Sequence, residues 1–468
     1  MNRTAAAKGH GTAVEGEGTP VNASSRALLI RGATVLSMDP SLGDLQAADV
    51  RIEGRCIAAV GQGLEPDGAD CIDARGMLLI PGLIDTHTHL WQGPLKGLGA
   101  GMWGMGDYNR HIFPLRERFT AEDVGDATFA TGVEMLDNGI TAVLDFCHNV
   151  MTPGHAEAGL RAHDRTGQRV LFGYGMLGRF DTLAADHPWR LEQVRALQRE
   201  RAGGADALVR LGVALASLEF AGLALVEPEI GLARELGLPM TFHQNVAGQI
   251  HELHGAGLLG PDMLPVHCNP ILDEELALIA QCGGGISFTP ESEVGDGRST
   301  SVIARAHRAG VTPSLGVDVP SRVALDLFSQ MRLTFLLMRA EEAGRERASG
   351  RWPLARYPGT PFVQPRDLLA YATVNAARAV GLGEVLGRIA PGCLADLVLL
   401  RAGRYSPSLG DPAAHVVLQA NVGDVDTVIV DGRVKKRGGE LAGGAREAAV
   451  DATRRVRERM FGAATPAA

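Results

Sequence analysis

The chain has 468 residues, 45% of them hydrophobic, and its 45 Lys and Arg against 54 Asp and Glu give a formal net charge of -9. This length suits one large catalytic domain with a smaller companion, with enough apolar residues to bury a sizeable core. The acidic balance argues against a nucleic-acid or anionic-membrane partner, and no apolar run is long enough to span a bilayer.

Residues 1–26, rich in Ala, Gly, Thr, Ser and Glu, lack the apolar stretch of a secretory signal and read as a disordered tail. Residues 27–80 read as short strands with turns. Val50, Ile52 and Cys56 fall on a β-like pattern broken at Glu53-Gly54. From 81 to 389 short apolar runs alternate with amphipathic stretches. The runs are Met77 to Ile84, Thr141 to Phe146, Val170 to Tyr174, Leu208 to Val213, Met240 to Phe242, Leu264 to Val266, Gly285 to Phe288 and Pro313 to Val317. Helix-like segments between them include Ala121 to Asn138, Pro188 to Arg201, Ala221 to Leu236 and Asp273 to Gln281. Eight β-then-α units in this length predict an α/β fold, a (β/α)₈ TIM-like barrel.

Residues 390–444 return to strands, with Thr427 to Val430 and Arg433 to Lys435 joined by a hairpin turn at Asp431-Gly432. Neither β-rich end has enough strands to bury a face alone, so the two are expected to form one small β-sandwich. Residues 445–468 are expected to be a surface helix and a tail. The six cysteines are scattered with no CxxC pair, which fits reduced thiols in a cytoplasmic protein.

The chemistry concentrates at strand ends. His87 and His89 close the first barrel strand in Pro-Gly-Leu-Ile-Asp-Thr-His-Thr-His. Residues i and i+2 on a strand share a side, so both imidazoles reach one ion. His243, His267 and Asp318 each follow a later strand. The C-terminal ends of all barrel strands meet at one rim, where these residues converge. Three His and one carboxylate leave room for a water on a catalytic divalent metal.

On these motifs the chain resembles the amidohydrolase superfamily, in the branch of cytosine deaminase, guanine deaminase and the chlorotriazine hydrolases. The carriers are PGLIDTHTHLWQ at 81–92, MLDNGITAVLDF at 135–146, FHQN at 242–245, VHCN at 266–269, SLGVD at 314–318, ATVNAARAVGLGEVLGRIAPGCLADLVLL at 372–400 and VDTVIVDGRVKKRGG at 425–439. The resemblance implies His87, His89, His243 and Asp318 as metal ligands. It implies His267 as a contact to substrate or metal-bound water, Asp318 as the acceptor of the water's proton, and a homodimer. Two departures stand out. Binuclear members carry a carbamylated lysine at the end of strand four, but no lysine occurs here between Lys96 and Lys435, so one metal is expected: Zn²⁺, with Fe²⁺ or Mn²⁺ as alternatives. Deaminases of this branch carry a glutamate three residues after the strand-five histidine, where this chain has Val246.

Glu291 and Glu293, after strand seven, are the expected replacements for that acid, against the alternative of a solvated loop. His251, Glu252 and His254 read more simply as a surface helix. The Gly-rich loop after strand one is lid-like, and Gln92, Trp103, Tyr108 and His111 from it, with Asn245 and His267, are expected to bind substrate. The reading that follows is a metal-dependent hydrolase cleaving a carbon–nitrogen bond in a small molecule, with an amide, lactam or amino-heterocycle as substrate. Deamination of an aromatic heterocycle stands close behind amide or lactam hydrolysis, because Val246 cannot transfer protons to a ring nitrogen. A non-hydrolytic lyase or decarboxylase of a specialised metabolite and a non-catalytic binding protein are the alternatives from other classes. The intact metal-ligand set argues against the last.

Overall fold

The computed structural model describes residues 27–201, 207–298, 301–351, 363–402 and 410–462. The expected tail at 1–26 lies outside them. Five strands open the chain: β1 (Leu28–Leu36), β2 (Asp44–Glu53), β3 (Cys56–Gly61), β4 (Asp70–Asp73) and β5 (Leu78–Pro81). Eight follow: β6 (Leu83–Thr88), β7 (Ile140–Cys147), β8 (Arg169–Gly175), β9 (Val209–Ala214), β10 (Met240–Gln244), β11 (Met263–His267), β12 (Gly285–Phe288) and β13 (Thr312–Leu315). The series ends with β14 (Leu397–Leu400), β15 (Val425–Val430), β16 (Arg433–Arg437) and β17 (Glu440–Leu441).

Strands β6 to β13 pair in parallel and in chain order, and a bridge between Thr88 and Asp318 closes the ring. At the closure the Asp318 N–H donates to the His87 carbonyl at 2.8 Å, and the His89 N–H donates to the Asp318 carbonyl at 2.9 Å. A Cβ on Gly316 would stand 2.7 Å from the His87 backbone nitrogen, so the close approach of the eighth strand to the first requires glycine. Helices such as Ala121–Asp137, Pro153–Thr166, Leu183–Glu200, Leu223–Glu235 and Asp273–Gln281 return the chain between strands, giving the (β/α)₈ barrel. The first of these starts on a capping box. The Asp123 N–H donates to Thr120 Oγ1 at 3.1 Å, and the Thr120 N–H donates to the Asp123 carboxylate at 2.9 Å.

Three expected elements differ. The run Met77 to Ile84 divides at Gly82, and β5 joins one sheet while β6 begins the barrel. A Cβ on Gly82 would collide with Thr141, so this passage between sheets also depends on glycine. The helix expected from Pro188 starts at Leu183 and carries Pro188 within it. The helix expected over Ala221 to Leu236 is broken at Gly222, whose φ of 66° separates a one-turn helix, Leu218–Ala221, from Leu223–Glu235.

The terminal strands hydrogen-bond into one nine-stranded sheet, ordered β17-β16-β15-β14-β5-β1-β2-β3, with β4 branching from β1. The expected sandwich is thus a single branched sheet. Its N- and C-terminal halves meet where β5 pairs antiparallel with β14, Leu79 opposite Leu399. Ile30, Val50, Ile57, Leu79, Leu397 and Ile429 share a core distinct from that of the barrel. The β15–β16 turn has the two positive φ angles that Asp-Gly favours, 53° at Asp431 and 72° at Gly432. A buried ion pair ties sheet to barrel. Arg169 of β8 donates through Nε to Asp396 at 2.8 Å and through Nη2 to Asp431 at 2.7 Å. The C-terminal helix Ala445–Phe461 buries Ala449, Ala452, Val456 and Met460, and it packs on Ala121–Asp137. Among the described residues no helix is long and apolar enough to cross a membrane.

Candidate active site

The rim at the C-terminal ends of β6 to β13 carries a cluster of imidazoles around one carboxylate. The His87 ring centroid lies 4.7 Å from that of His89, 5.1 Å from that of His243 and 5.4 Å from that of His267. Asp318 Oδ1 is 3.3 Å from Nε2 of both His87 and His89. Within each of two triads, His87, His89 and Asp318, and His87, His243 and His267, one donor atom per residue lies within 4.8 Å of the others. Asp318, His267 and Cys268 have φ angles of 74°, 67° and 55°. Such angles are uncommon outside glycine, and at a strand end they turn the side chain into the rim.

The hydrogen bonds leave this donor set facing inward. His89 Nδ1 stands 2.8 Å from the Phe146 carbonyl, which can only accept, so Nδ1 carries the proton and Nε2 offers a lone pair. Both ring nitrogens of His87 are buried without a hydrogen-bond partner. A pair of orphaned buried nitrogens beside a carboxylate is a costly arrangement that a cation satisfies, so these residues fit a divalent metal. Burial pushes the His87 imidazole down to about 3 and that of His243 well below the ordinary value, so both rings are neutral, as ligands must be. Burial works to raise Asp318, but the imidazoles of His87 and His89 beside it outweigh burial and hold the carboxyl well below the usual range. Ser292 Oγ donates to Asp318 Oδ2 at 2.5 Å and fixes the second oxygen. Asp85 orients the closing strand, accepting the N–H groups of His87 at 2.9 Å and Val317 at 3.2 Å.

A cavity of about 310 Å³ opens onto this cluster. His89, His243, His267 and Asp318 form its floor, and Tyr108, Phe113, Phe146, Phe180 and Phe220 give it aromatic walls. Phe180 and Phe220 stand at the mouth, half exposed, with ring centroids 4.9 Å apart. Leu215, directly after the fourth barrel strand β9, lines the cavity as an apolar side chain.

Of the expected substrate contacts, Tyr108, Asn245 and His267 line the cavity, and Gln92, Trp103 and His111 do not. Gln92 is buried behind Tyr108, donating to its hydroxyl at 2.8 Å and accepting from Ser321 at 2.8 Å. Trp103 precedes the helix Gly104–His111 and is 75% exposed, its ring lying over Gly297. His111 is exposed at the far end of that helix, three residues past Tyr108. Neither expected replacement acid lines the cavity. Glu291 is bonded to Gln330, accepting from Nε2 at 2.9 Å and donating its backbone N–H to Oε1 at 3.0 Å. Glu293 is buried behind His267, 3.3 Å from Nδ1. His251, Glu252 and His254 are exposed on the helix Gln249–Gly255. Val246 lines the cavity.

Among the lining residues that sequence reasoning missed, two bear on the chemistry. His148, two residues beyond Phe146, directly follows the second barrel strand, at the rim where His243 and His267 lie at the ends of theirs. That position was the signal that could have found it. Its ring centroid is 3.9 Å from that of His89, and the ring stacks on Phe113 at 5.5 Å. Glu219, on the one-turn helix after β9, is the other.

The model of the amidohydrolase family matches residues 78–435. The chain is 30% identical over 435 residues to a 5'-deoxyadenosine deaminase of Methanothermobacter thermautotrophicus, covering 89% of this chain and 95% of that protein. It is 26% identical to a 5-methylthioadenosine/S-adenosylhomocysteine deaminase of Desulforamulus reducens, covering 87% and 93%. Among solved structures, a zinc-bound adenosine deaminase of Xanthomonas campestris superposes with a TM-score of 0.77 at 23% identity, covering 92% of this chain and 98% of that one. A zinc-complexed atrazine chlorohydrolase of Arthrobacter aurescens also gives 0.77, at 21% identity and with coverage of 92% and 99%. At those identities the likeness speaks for the fold.

Proposed function

The chain belongs to the amidohydrolase family, and from that premise we propose that it is an aminohydrolase releasing ammonia from an adenine-type nucleoside. The family is metal-dependent, and the chain is a hydrolase of non-peptide carbon–nitrogen bonds. The observation that carries the finer reading is the aromatic-walled cavity over the His/Asp cluster, in a chain with deaminase relatives along nearly its whole length. Planar walls suit a planar ring, and the cavity is at the small end of the range for small-molecule sites, about 300–1,000 Å³.

His87, His89, His243 and Asp318 would hold one divalent ion, zinc by analogy with the zinc-bound solved relatives. When bound, the ion would polarise the electrophilic carbon and bring the pKa of a water toward neutrality. The remaining work falls to the chain's own side chains. Asp318, with Oδ2 held by Ser292, takes the proton of the attacking water and delivers it to the leaving nitrogen. His267 is anchored through Nδ1 by Thr289 Oγ1 at 2.9 Å and Glu293 at 3.3 Å, and it directs Nε2 to the oxygen of the adduct. The phenylalanines exclude water and hold the ring flat.

The test is a zinc-loaded chain assayed against adenine nucleosides, simple amides and lactams, with ammonia and carboxylate both followed. Ammonia from an adenine nucleoside supports the reading. Carboxylate from a lactam without ammonia from any heterocycle refutes it.

A further inference from the structure

Adding water across a ring C=N bond needs two proton-handling groups. One accepts the proton of the water, and the other protonates the ring nitrogen as the electron pair arrives there. Asp318 can serve as the first. The cavity wall offers only two more carboxylates among the described residues, Asp296 and Glu219. Asp296 is neutralised by two guanidiniums, paired with Arg322 and lying 3.5 Å from Arg298. Glu219 is different. Its hydrogen-bond donors are neutral amides: Asn245 Nδ2 at 3.2 Å on Oε1 and Gln249 Nε2 at 2.8 Å on Oε2. No cation of the described residues comes within ion-pair distance of it.

We propose that Glu219 is the second acid/base residue of the reaction, standing in from the strand-four loop for the carboxylate that Val246 cannot supply. The inference rests on the deaminase reading above. The wiring places it. Gln249 Oε1 accepts the backbone N–H groups of Asn245 at 3.2 Å and Val246 at 3.3 Å, and its Nε2 then holds Glu219. The carboxyl group is thereby clamped to the very turn on which Val246 sits. Asn245 serves both protonation states, since its side-chain amide can donate to the carboxylate or, rotated, accept from the acid.

The proton ledger closes. Protonated Glu219 gives its proton to the ring nitrogen as the water oxygen bonds to the amine-bearing carbon and the C=N electron pair moves to nitrogen. Asp318 passes the water's proton to the exocyclic amine. The C–N bond breaks, ammonia leaves, and Glu219 regains a proton from the adduct's hydroxyl as the carbonyl forms. Lactam hydrolysis, favoured by Val246 alone, loses its advantage once Glu219 is in the cavity.

The test compares zinc-loaded wild type, Glu219→Gln and the double variant Glu219→Gln/Val246→Glu on the nucleoside that wild type deaminates best. The expected result is a fall in kcat of about a hundredfold or more in Glu219→Gln, within the usual range for losing an acid/base group. KM, zinc content and circular dichroism should stay near wild type. The double variant should recover at least tenfold by restoring a carboxylate from the neighbouring turn. Near-wild-type kcat in Glu219→Gln overturns the inference while leaving the deaminase reading intact, and so does a loss confined to KM or a loss that Val246→Glu does not relieve. A wild type that frees no ammonia from any heterocycle overturns both.

Discussion

Glu293 Oε1 lies 3.3 Å from Nδ1 of His267 and accepts the Thr289 N–H at 2.9 Å, so a buried carboxylate fixes the ring that faces the cavity. Glu293 therefore acts through His267. Losing such an outer partner costs about 10–100-fold in activity. Glu293→Gln should lower kcat within that range with zinc content unchanged, as metal analysis and steady-state kinetics will show. Glu291→Gln should remain near wild type, because its carboxylate is engaged by Gln330 outside the cavity.

Asp318→Asn should abolish turnover and weaken metal retention. The carboxylate stands 3.3 Å from two imidazoles and is the proposed proton acceptor, so one substitution removes both functions. Its backbone bridge to the first barrel strand is untouched, and the variant should fold. Turnover above a few per cent of wild type would rule out Asp318 as that acceptor.

Metal content should be one ion per chain, and activity should not respond to added bicarbonate. Leu215 occupies the strand-four wall and no lysine stands between Lys96 and Lys435, so a carbamate bridge has no source. Two tightly held ions per chain would contradict this.

The barrel and its histidines were legible because their signals are local. An apolar run ending in His or Asp marks a strand and its rim position together, as at His243, His267 and Asp318. Orientation along the loops was not legible. Trp103, Tyr108 and His111 lie within nine residues of one another, yet Tyr108 alone faces the cavity, because a helix over Gly104–His111 points successive residues in different directions. Glu291 and Glu293 likewise diverge from the cavity on the short helix Pro290–Gly295. Glu219 was hidden because its approach depends on the break at Gly222, which no periodicity announces.

The mouth should govern binding rather than chemistry. Phe180 and Phe220 are half exposed and tilted against each other, an arrangement suited to gripping a planar ring. An aromatic contact is worth about 0.5–1.5 kcal/mol beyond area burial, so Phe220→Ala should raise KM by roughly twofold to tenfold. Its kcat should change little.

Arg169 should be a stability residue. Replacing it with Met leaves Asp396 buried without its countercharge, and breaking such a pair costs about 3–5 kcal/mol. Thermal unfolding of Arg169→Met should show a clearly lower midpoint, with metal stoichiometry preserved in the folded fraction.

The most direct measurement of the central claim is the stoichiometry of ammonia release from an adenine nucleoside by the zinc-loaded chain, with the chelator-treated chain as control. The account predicts one ammonia for each adenine ring converted to its oxo form, with activity lost on chelation and restored by about one equivalent of zinc. Substrate consumed without ammonia, or ammonia released at the same rate after the metal is removed, would contradict it.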